Sequence, residues 1–193
     1  MNQKPYTRLT FNVDLKNPYL EGKDFHKTLN HDILKILADI KAKVPVVDYS
    51  DKYETKAEKM FWLANHFDLD LFTTSNEDCS GFIICEKKRI YVNEDYNDIE
   101  DDDLYQVISH EVGHMIQYIT GDYAVSTDKS LSGKFRLEQQ CDAIASELHP
   151  IVFGGRYKPS YDTEDSALFL KDWYGDHVEN DLICISQINP VYL

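Results

Sequence analysis

Apolar residues recur every three or four positions in four stretches of the chain, which is the period of an amphipathic helix. The four stretches cover residues 25–42, about 55–66, 104 to about 120, and 135–148. Pro45 and Pro150 are expected to stop the first and the last of them, because proline lacks the backbone donor that a continuing helix needs. The pattern therefore predicts four helices as the scaffold of the protein.

The third helical stretch carries signals for both of its ends. The run Asp101-Asp102-Asp103 comes directly before Leu104. Aspartate side chains can accept hydrogen bonds from the first amides of a helix and complement the positive end of its dipole. Gly121 suits the left-handed conformation that often ends a helix. We therefore expect a helix that begins at the aspartates and ends near Gly121.

Residues 80–93 show a different pattern, with short β-rich runs at 81–85 and 89–92 joined by a polar Glu-Lys-Lys. This pattern predicts a β-hairpin. We expect its second strand at a sheet edge, where it could pair with an extended peptide backbone. Beyond Pro150 the sequence suggests a helix near 167–173 and a strand over 182–188. The predicted fold class is α+β, with a small, mainly antiparallel sheet packed on helices.

Length and composition indicate a single domain over residues 1–193. No linker, repeat or change of composition divides the chain, and a hydrophobic share of 42% is ordinary for a globular domain. The four cysteines have no spacing typical of a zinc knuckle or a redox pair, and we expect them to be unpaired thiols. They are Cys79, Cys85, Cys141 and Cys184.

The charge and the N-terminus narrow the class of partner. A net charge of -14 argues against direct binding of nucleic acid, because a phosphate backbone is bound through clustered Lys and Arg. The acidity is explained by solubility, or by the steering of a basic partner or substrate. The first residues are polar, and the longest apolar runs fall well short of the ~18 residues of a membrane helix. We therefore expect a cytoplasmic protein without a membrane partner.

The motif that carries chemistry is His110-Glu111-Val112-Gly113-His114, in the third helix. Residues four apart on a helix lie only about 40° apart around its axis and about 6 Å apart along it, so two imidazoles can converge on one ion. Neutral imidazole suits Zn²⁺, and a catalytic zinc site has three protein ligands and an open position for water. Glu111 is placed to act as the general base towards that water.

The third ligand is expected on the next helix, where Glu138 and Asp142 stand four residues apart on one face. We predict Glu138 as the ligand. Asp142 would then accept the free ring N–H of a ligating histidine and fix its tautomer and orientation. The metal is thus predicted to lie between two helices.

These residues resemble the ImmA/IrrE family of small bacterial and phage metallopeptidases, which are gluzincin-type zincins. The hairpin before the His-Glu helix agrees with that family. So does the segment 138–150, which resembles the signature Glu-x-x-Ala-Asn-x-Phe-Ala-Ala-x-Leu-Leu-Met-Pro. The resemblance covers about residues 55–150. The departures from the signature, none of which removes a ligand, are Cys141 for Ala, Asp142 for Asn, Ile144 for Phe and His149 for an apolar residue.

The resemblance implies a zincin-like domain in which His110, His114 and Glu138 bind Zn²⁺ and Glu111 is the catalytic base. It also implies hydrolysis of a protein or peptide substrate, narrowly chosen, such as a repressor or another regulator. The alternative is a non-catalytic zinc-containing module of phage or mobile-element origin that binds a protein partner, in which Cys141 is the one cysteine spaced so that it could join the two histidines.

Two features stay open at this level. A peptidase needs a donor for the oxyanion of its transition state, and the candidates are Tyr118, His149 and His177. The accessory C-terminal segment 151–193 could cover a cleft, recognise a partner or complete the core.

Overall fold

In the part of the chain that the structure describes, two helices are followed by three strands and then by two further helices. The computed structural model describes residues 29–47, 49–75, 79–122 and 131–159. The α+β class predicted from the sequence is confirmed for these residues. The helices are α1 (His31–Lys43), α2 (Lys52–Phe67), α3 (Asp102–Thr120) and α4 (Leu131–Val152), and the strands are β1 (Asp70–Thr74), β2 (Gly81–Ile84) and β3 (Arg89–Asn93).

The ends of α3 and α1 follow the capping signals in the sequence. The side chain of Asp101 accepts a hydrogen bond from the amide of Asp103 at 3.0 Å, and Gly121 ends α3 with a φ of 80°. Asn30 caps α1 in the same way, through the amide of Ile33. The helix α1 ends at Lys43, two residues before Pro45. The predictions for both ends of α3 and for the end of α1 are confirmed.

The prediction that Pro150 stops the fourth helix is wrong. Pro150 lies inside α4, which runs on to Val152, and the amide of Phe153 still bonds to the carbonyl of His149 at 2.8 Å. A proline costs a helix one backbone hydrogen bond. Burial of Val152 and Phe153 in the core favours keeping the last turn helical in spite of that loss.

The sheet has the order β1-β3-β2 and is mixed. The hairpin of β2 and β3 is antiparallel, as predicted, with Ile83 opposite Ile90. However, β1 pairs in parallel with β3, so the expectation of a mainly antiparallel sheet is corrected. Since β3 lies between two other strands, the expectation that it forms an edge is also wrong. In the described sheet the edges are β1 and β2.

The core lies between the helices and one face of the sheet. Ile83 and Ile90 are fully buried on the sheet side. Ile33 of α1, Ile108 of α3 and Ile144 of α4 close the core on the helix side. The helix α3 is buried on most of its circumference. None of the helices that the structure describes is both long enough and apolar enough to cross a bilayer. The predicted elements near 167–173 and 182–188 lie outside the described residues.

Candidate metal centre

The closely packed helices α3 and α4 bring the predicted site residues together. His114, Glu138 and Glu111 are all buried, at 1%, 3% and 5% exposure. Gly113 permits the close approach of the two helices, because a Cβ at this position would lie 2.7 Å from Sγ of Cys141 and 3.1 Å from its carbonyl oxygen. The glycine in the middle of the motif therefore sets the distance between the two halves of the site.

Glu138 places one carboxylate oxygen between the two histidines of α3. Its Oε2 lies 3.2 Å from Nε2 of His110 and 3.2 Å from Nε2 of His114. The two imidazole rings are perpendicular, with centroids 4.9 Å apart. Ligand atoms at zinc's usual bond lengths, in a tetrahedral arrangement, lie roughly 3.3–3.5 Å from one another. The two distances from Glu138 Oε2 are therefore close to those between ligands of one small ion.

Gln117 fixes the tautomer of His114. Its Oε1 lies 2.9 Å from Nδ1 of His114, while its Nε2 donates to the carbonyl of Leu137 and to Oε1 of Gln140, each at 2.8 Å. The two acceptors around Nε2 settle which end of the amide faces the histidine. Nδ1 of His114 must therefore carry a proton, so in the neutral ring the nitrogen that can bind a metal is Nε2, which faces Glu138.

The ring of His110 also has an acceptor at Nδ1, and this one comes from the other helix, α4. Its Nδ1 lies 3.1 Å from Oδ1 of Asp142 and 3.2 Å from the hydroxyl of Tyr157. Asp142 is fully buried. The predicted contact between Asp142 and a histidine of the motif is thus present in the structure, and it leaves Nε2 of His110 directed at Glu138.

Cys141 offers a second candidate for the third corner of the site. His110, His114 and Cys141 form a group that could hold a metal ion, since their ligand atoms all lie within 4.8 Å of one another. The thiol of Cys141 also donates to the carbonyl oxygen of His110 at 2.9 Å. Cys141, which departs from the signature that the sequence resembles, therefore falls within the group of residues that could hold a metal ion.

The negative charge of Glu138 and the positive charges of the two histidines stabilise each other. Burial alone would raise the pKa of Glu138, but the adjacent His114 and His110 outweigh it and hold that pKa well below its usual value. Burial alone would lower the pKa of His114, but Cys141 and Glu138 hold it well above its usual value. Glu138 is therefore a carboxylate, which is the form that binds a cation.

Glu111 lies beside the cluster and faces the sheet. Its Oε1 is 3.7 Å from the place where a Cβ on Gly81 would lie, so the carboxylate is next to the first residue of the edge strand β2. Burial raises the pKa of Glu111, and the neighbouring His110 and His114 oppose this effect only in part. The result is a carboxylate more basic than usual, close to a possible metal ion and to an open strand.

The three candidates for oxyanion stabilisation have different surroundings. Tyr118 lies near the end of α3 and is 40% exposed. His149 is buried, and its Nδ1 lies 2.9 Å from the hydroxyl of Ser109 and 3.3 Å from the carbonyl of Tyr105. The structure thus directs His149 to the interface of α3 and α4 rather than to the cluster. His177 lies outside the described residues.

Two residues of the site were not found from the sequence, Gln117 and Tyr157. Gln117 could have been noticed, because it stands one turn after His114 on the same face of a helix. No local signal marks Tyr157, since its contact depends on how the chain turns after α4.

Comparisons with family models, with curated proteins and with solved structures found no match to this chain.

Proposed function

We propose that the protein is a zinc-dependent metallopeptidase of the zincin type, in which His110, His114 and Glu138 bind the metal. The observation that carries the proposal is the position of Glu138 Oε2, 3.2 Å from Nε2 of each histidine. The outer partners Gln117 and Asp142 add support, because metal-bound histidines usually donate their second N–H to an acceptor of this kind.

Zinc in such a site supplies Lewis acidity, which acidifies water and polarises a carbonyl group. Glu111 accepts the proton of the attacking water and then passes it to the departing amine. Burial raises the pKa of Glu111 and a neighbouring Zn²⁺ would lower it, so the role of Glu111 as the base is proposed from its place beside the two histidines. Its burial at 5% exposure also limits competition from bulk water for that proton.

The substrate is proposed to be a protein or peptide, chosen narrowly, such as a repressor or another regulator. The strand β2 is the sheet edge beside Glu111 in the described structure. An extended backbone that added to this edge would pass the carboxylate of Glu111. The site of pairing proposed for the substrate is thus β2, in place of β3.

A second candidate is a non-catalytic zinc-containing module that binds a protein partner. The observation that favours it is the thiol of Cys141 beside the two histidines. If Cys141 joined Glu138 as a ligand, the metal would have four protein ligands, which is typical of a structural zinc site and leaves no position for water. The presence of Glu111 favours the peptidase, because a structural site has no use for a base.

The experiment compares wild type with Glu111→Gln, a nearly isosteric change that removes only the base. Metal content is measured on both proteins, and each is incubated with a degenerate peptide library and with the proteins encoded beside its gene. New termini are identified by mass spectrometry. The peptidase proposal expects equal stoichiometric zinc in both and cleavage only by wild type. Equal zinc with no cleavage by either protein supports the binding module, and absence of zinc from both contradicts both candidates.

A further inference from the structure

Tyr157 reaches the site by way of a sharp turn after α4. Gly154 and Gly155 have φ values of 73° and 74°, a left-handed conformation that is costly for residues with a Cβ. No atom lies where a Cβ on either glycine would stand, so backbone conformation alone explains the residue type. The turn reverses the chain and buries Tyr157 to 4% exposure.

A single side chain on α3 fastens the segment that follows the turn. Gln106 donates through Nε2 to the carbonyl of Arg156 at 3.2 Å, and its Oε1 accepts from the amide of Lys158 at 3.0 Å. Gln106 thus bonds to the backbone on both sides of Tyr157. Because Gln106 stands four residues before His110, the two side chains share one face of α3, and the segment is held beside that histidine.

The hydroxyl of Tyr157 completes a network of three groups. It donates to Oδ1 of Asp142 at 2.7 Å, and its oxygen lies 3.2 Å from Nδ1 of His110. A phenol has only one proton, which is given to Asp142. Both oxygens near Nδ1 of His110 are therefore acceptors, so Nδ1 must carry the proton. In the neutral ring the nitrogen that can bind a metal is therefore Nε2, which faces Glu138.

We infer that Tyr157 is a positioning residue of the metal site, which acts through Asp142 and His110. It is not a catalytic residue, because it lies on the Nδ1 side of His110, opposite the nitrogen directed at Glu138. The inference rests on the proposed role of His110 as a metal ligand and is independent of peptide hydrolysis. It also gives a function to residues 153–159, which lie beyond the part of the chain that resembles the metallopeptidase family.

The test is the zinc affinity of Tyr157→Phe, measured by competition with a chromophoric chelator. Phenylalanine keeps the ring and removes the hydroxyl. The matched control is Tyr105→Phe, which removes the hydroxyl of another buried tyrosine, one that bonds to the carbonyl of Ile99. Outer partners of metal-bound histidine typically contribute about 10- to 100-fold to affinity. We expect about a tenfold loss for Tyr157→Phe and no change for Tyr105→Phe, with similar losses of thermal stability in both.

A double substitution separates positioning from a general structural effect. If Tyr157 acts through Asp142, the pair Tyr157→Phe and Asp142→Asn weakens zinc binding no more than Asp142→Asn alone. Wild-type affinity in Tyr157→Phe, or fully additive losses in the pair, would overturn the inference while leaving the proposed zinc site intact. Failure of wild type to bind zinc would overturn the inference together with the proposed function.

Discussion

Nδ1 of His114 lies 2.9 Å from Oε1 of Gln117, one turn further along the same helix. Because this acceptor holds the ring and its tautomer, Gln117→Leu is expected to weaken zinc binding about 10- to 100-fold. The measurement is a chelator competition. Ser109→Ala is the control, since it removes buried hydrogen bonds of the same helix, to the carbonyl of Tyr105 and to the ring of His149, without touching the rings of His110 and His114. Equal zinc affinities in the two variants would contradict this role of Gln117.

Gly113 of α3 lies directly against Cys141 of α4. Gly113→Ala is expected to lower the free energy of unfolding by about 1–3 kcal/mol, because its methyl group overlaps Sγ of Cys141. Chemical denaturation measures the change. In a Cys141→Ala background the same substitution should cost less, although the carbonyl oxygen of Cys141 at 3.1 Å prevents full recovery. An equal cost in both backgrounds would show that the thiol is not what Gly113 avoids.

Gly81 lets the edge strand β2 lie close to α3. A Cβ at this position would lie 2.6 Å from Cγ1 of Val107 and 2.9 Å from the carbonyl oxygen of Tyr91. Gly81→Ala should therefore push β2 away from Glu111 and cost about 1–3 kcal/mol of stability. We expect peptide cleavage to fall while zinc content is retained. Unaltered cleavage in the folded variant would argue against pairing of substrate with β2.

His149 is expected to make stability depend on pH. Burial lowers its pKa from 6.5 to about 4, and the carbonyl of Tyr105 only partly opposes this effect. Between these two values the unfolded chain binds a proton that the folded protein does not. The free energy of unfolding therefore decreases as the pH falls from 6.5 to 4, by roughly 2–3 kcal/mol from this residue.

The control for His149 is His149→Gln, measured by chemical denaturation over the same pH range. Lys56 and Asp102 also face this region, and both are kept in the variant. The difference between wild type and variant should therefore shrink as the pH falls through this window. A difference that stays constant with pH would mean that His149 takes up its proton equally in both states.

The sequence predicted those parts of the fold that depend on neighbouring residues. The cap at Asp101, the end of α3 at Gly121 and the end of α1 before Pro45 follow from local backbone chemistry. The strand β1 was not predicted, because its residues are mostly exposed and show no alternation. Its existence depends on parallel pairing with β3. Pro150 was misjudged for a similar reason, since buried residues beyond it favour the last turn of α4.

The same distinction between local signals and tertiary contacts applies to the candidate site. Helical spacing was sufficient to suggest that His110 and His114 converge and that Glu138 and Asp142 share a face. Spacing could not reveal that Asp142 meets His110 rather than His114, because this depends on the way in which α3 and α4 pack. The position of Cys141 within the cluster and the return of Tyr157 are likewise results of tertiary contacts.

The identity of the third ligand tests the central claim most directly. X-ray absorption at the zinc edge of the zinc-loaded protein distinguishes oxygen and nitrogen ligands at about 2.0–2.2 Å from sulfur at about 2.3 Å. The proposed site predicts two imidazole ligands, oxygen in the remaining positions and no sulfur. Zinc should be lost in Glu138→Ala and kept in Cys141→Ala. A sulfur shell in wild type, or full zinc affinity in Glu138→Ala, would contradict it.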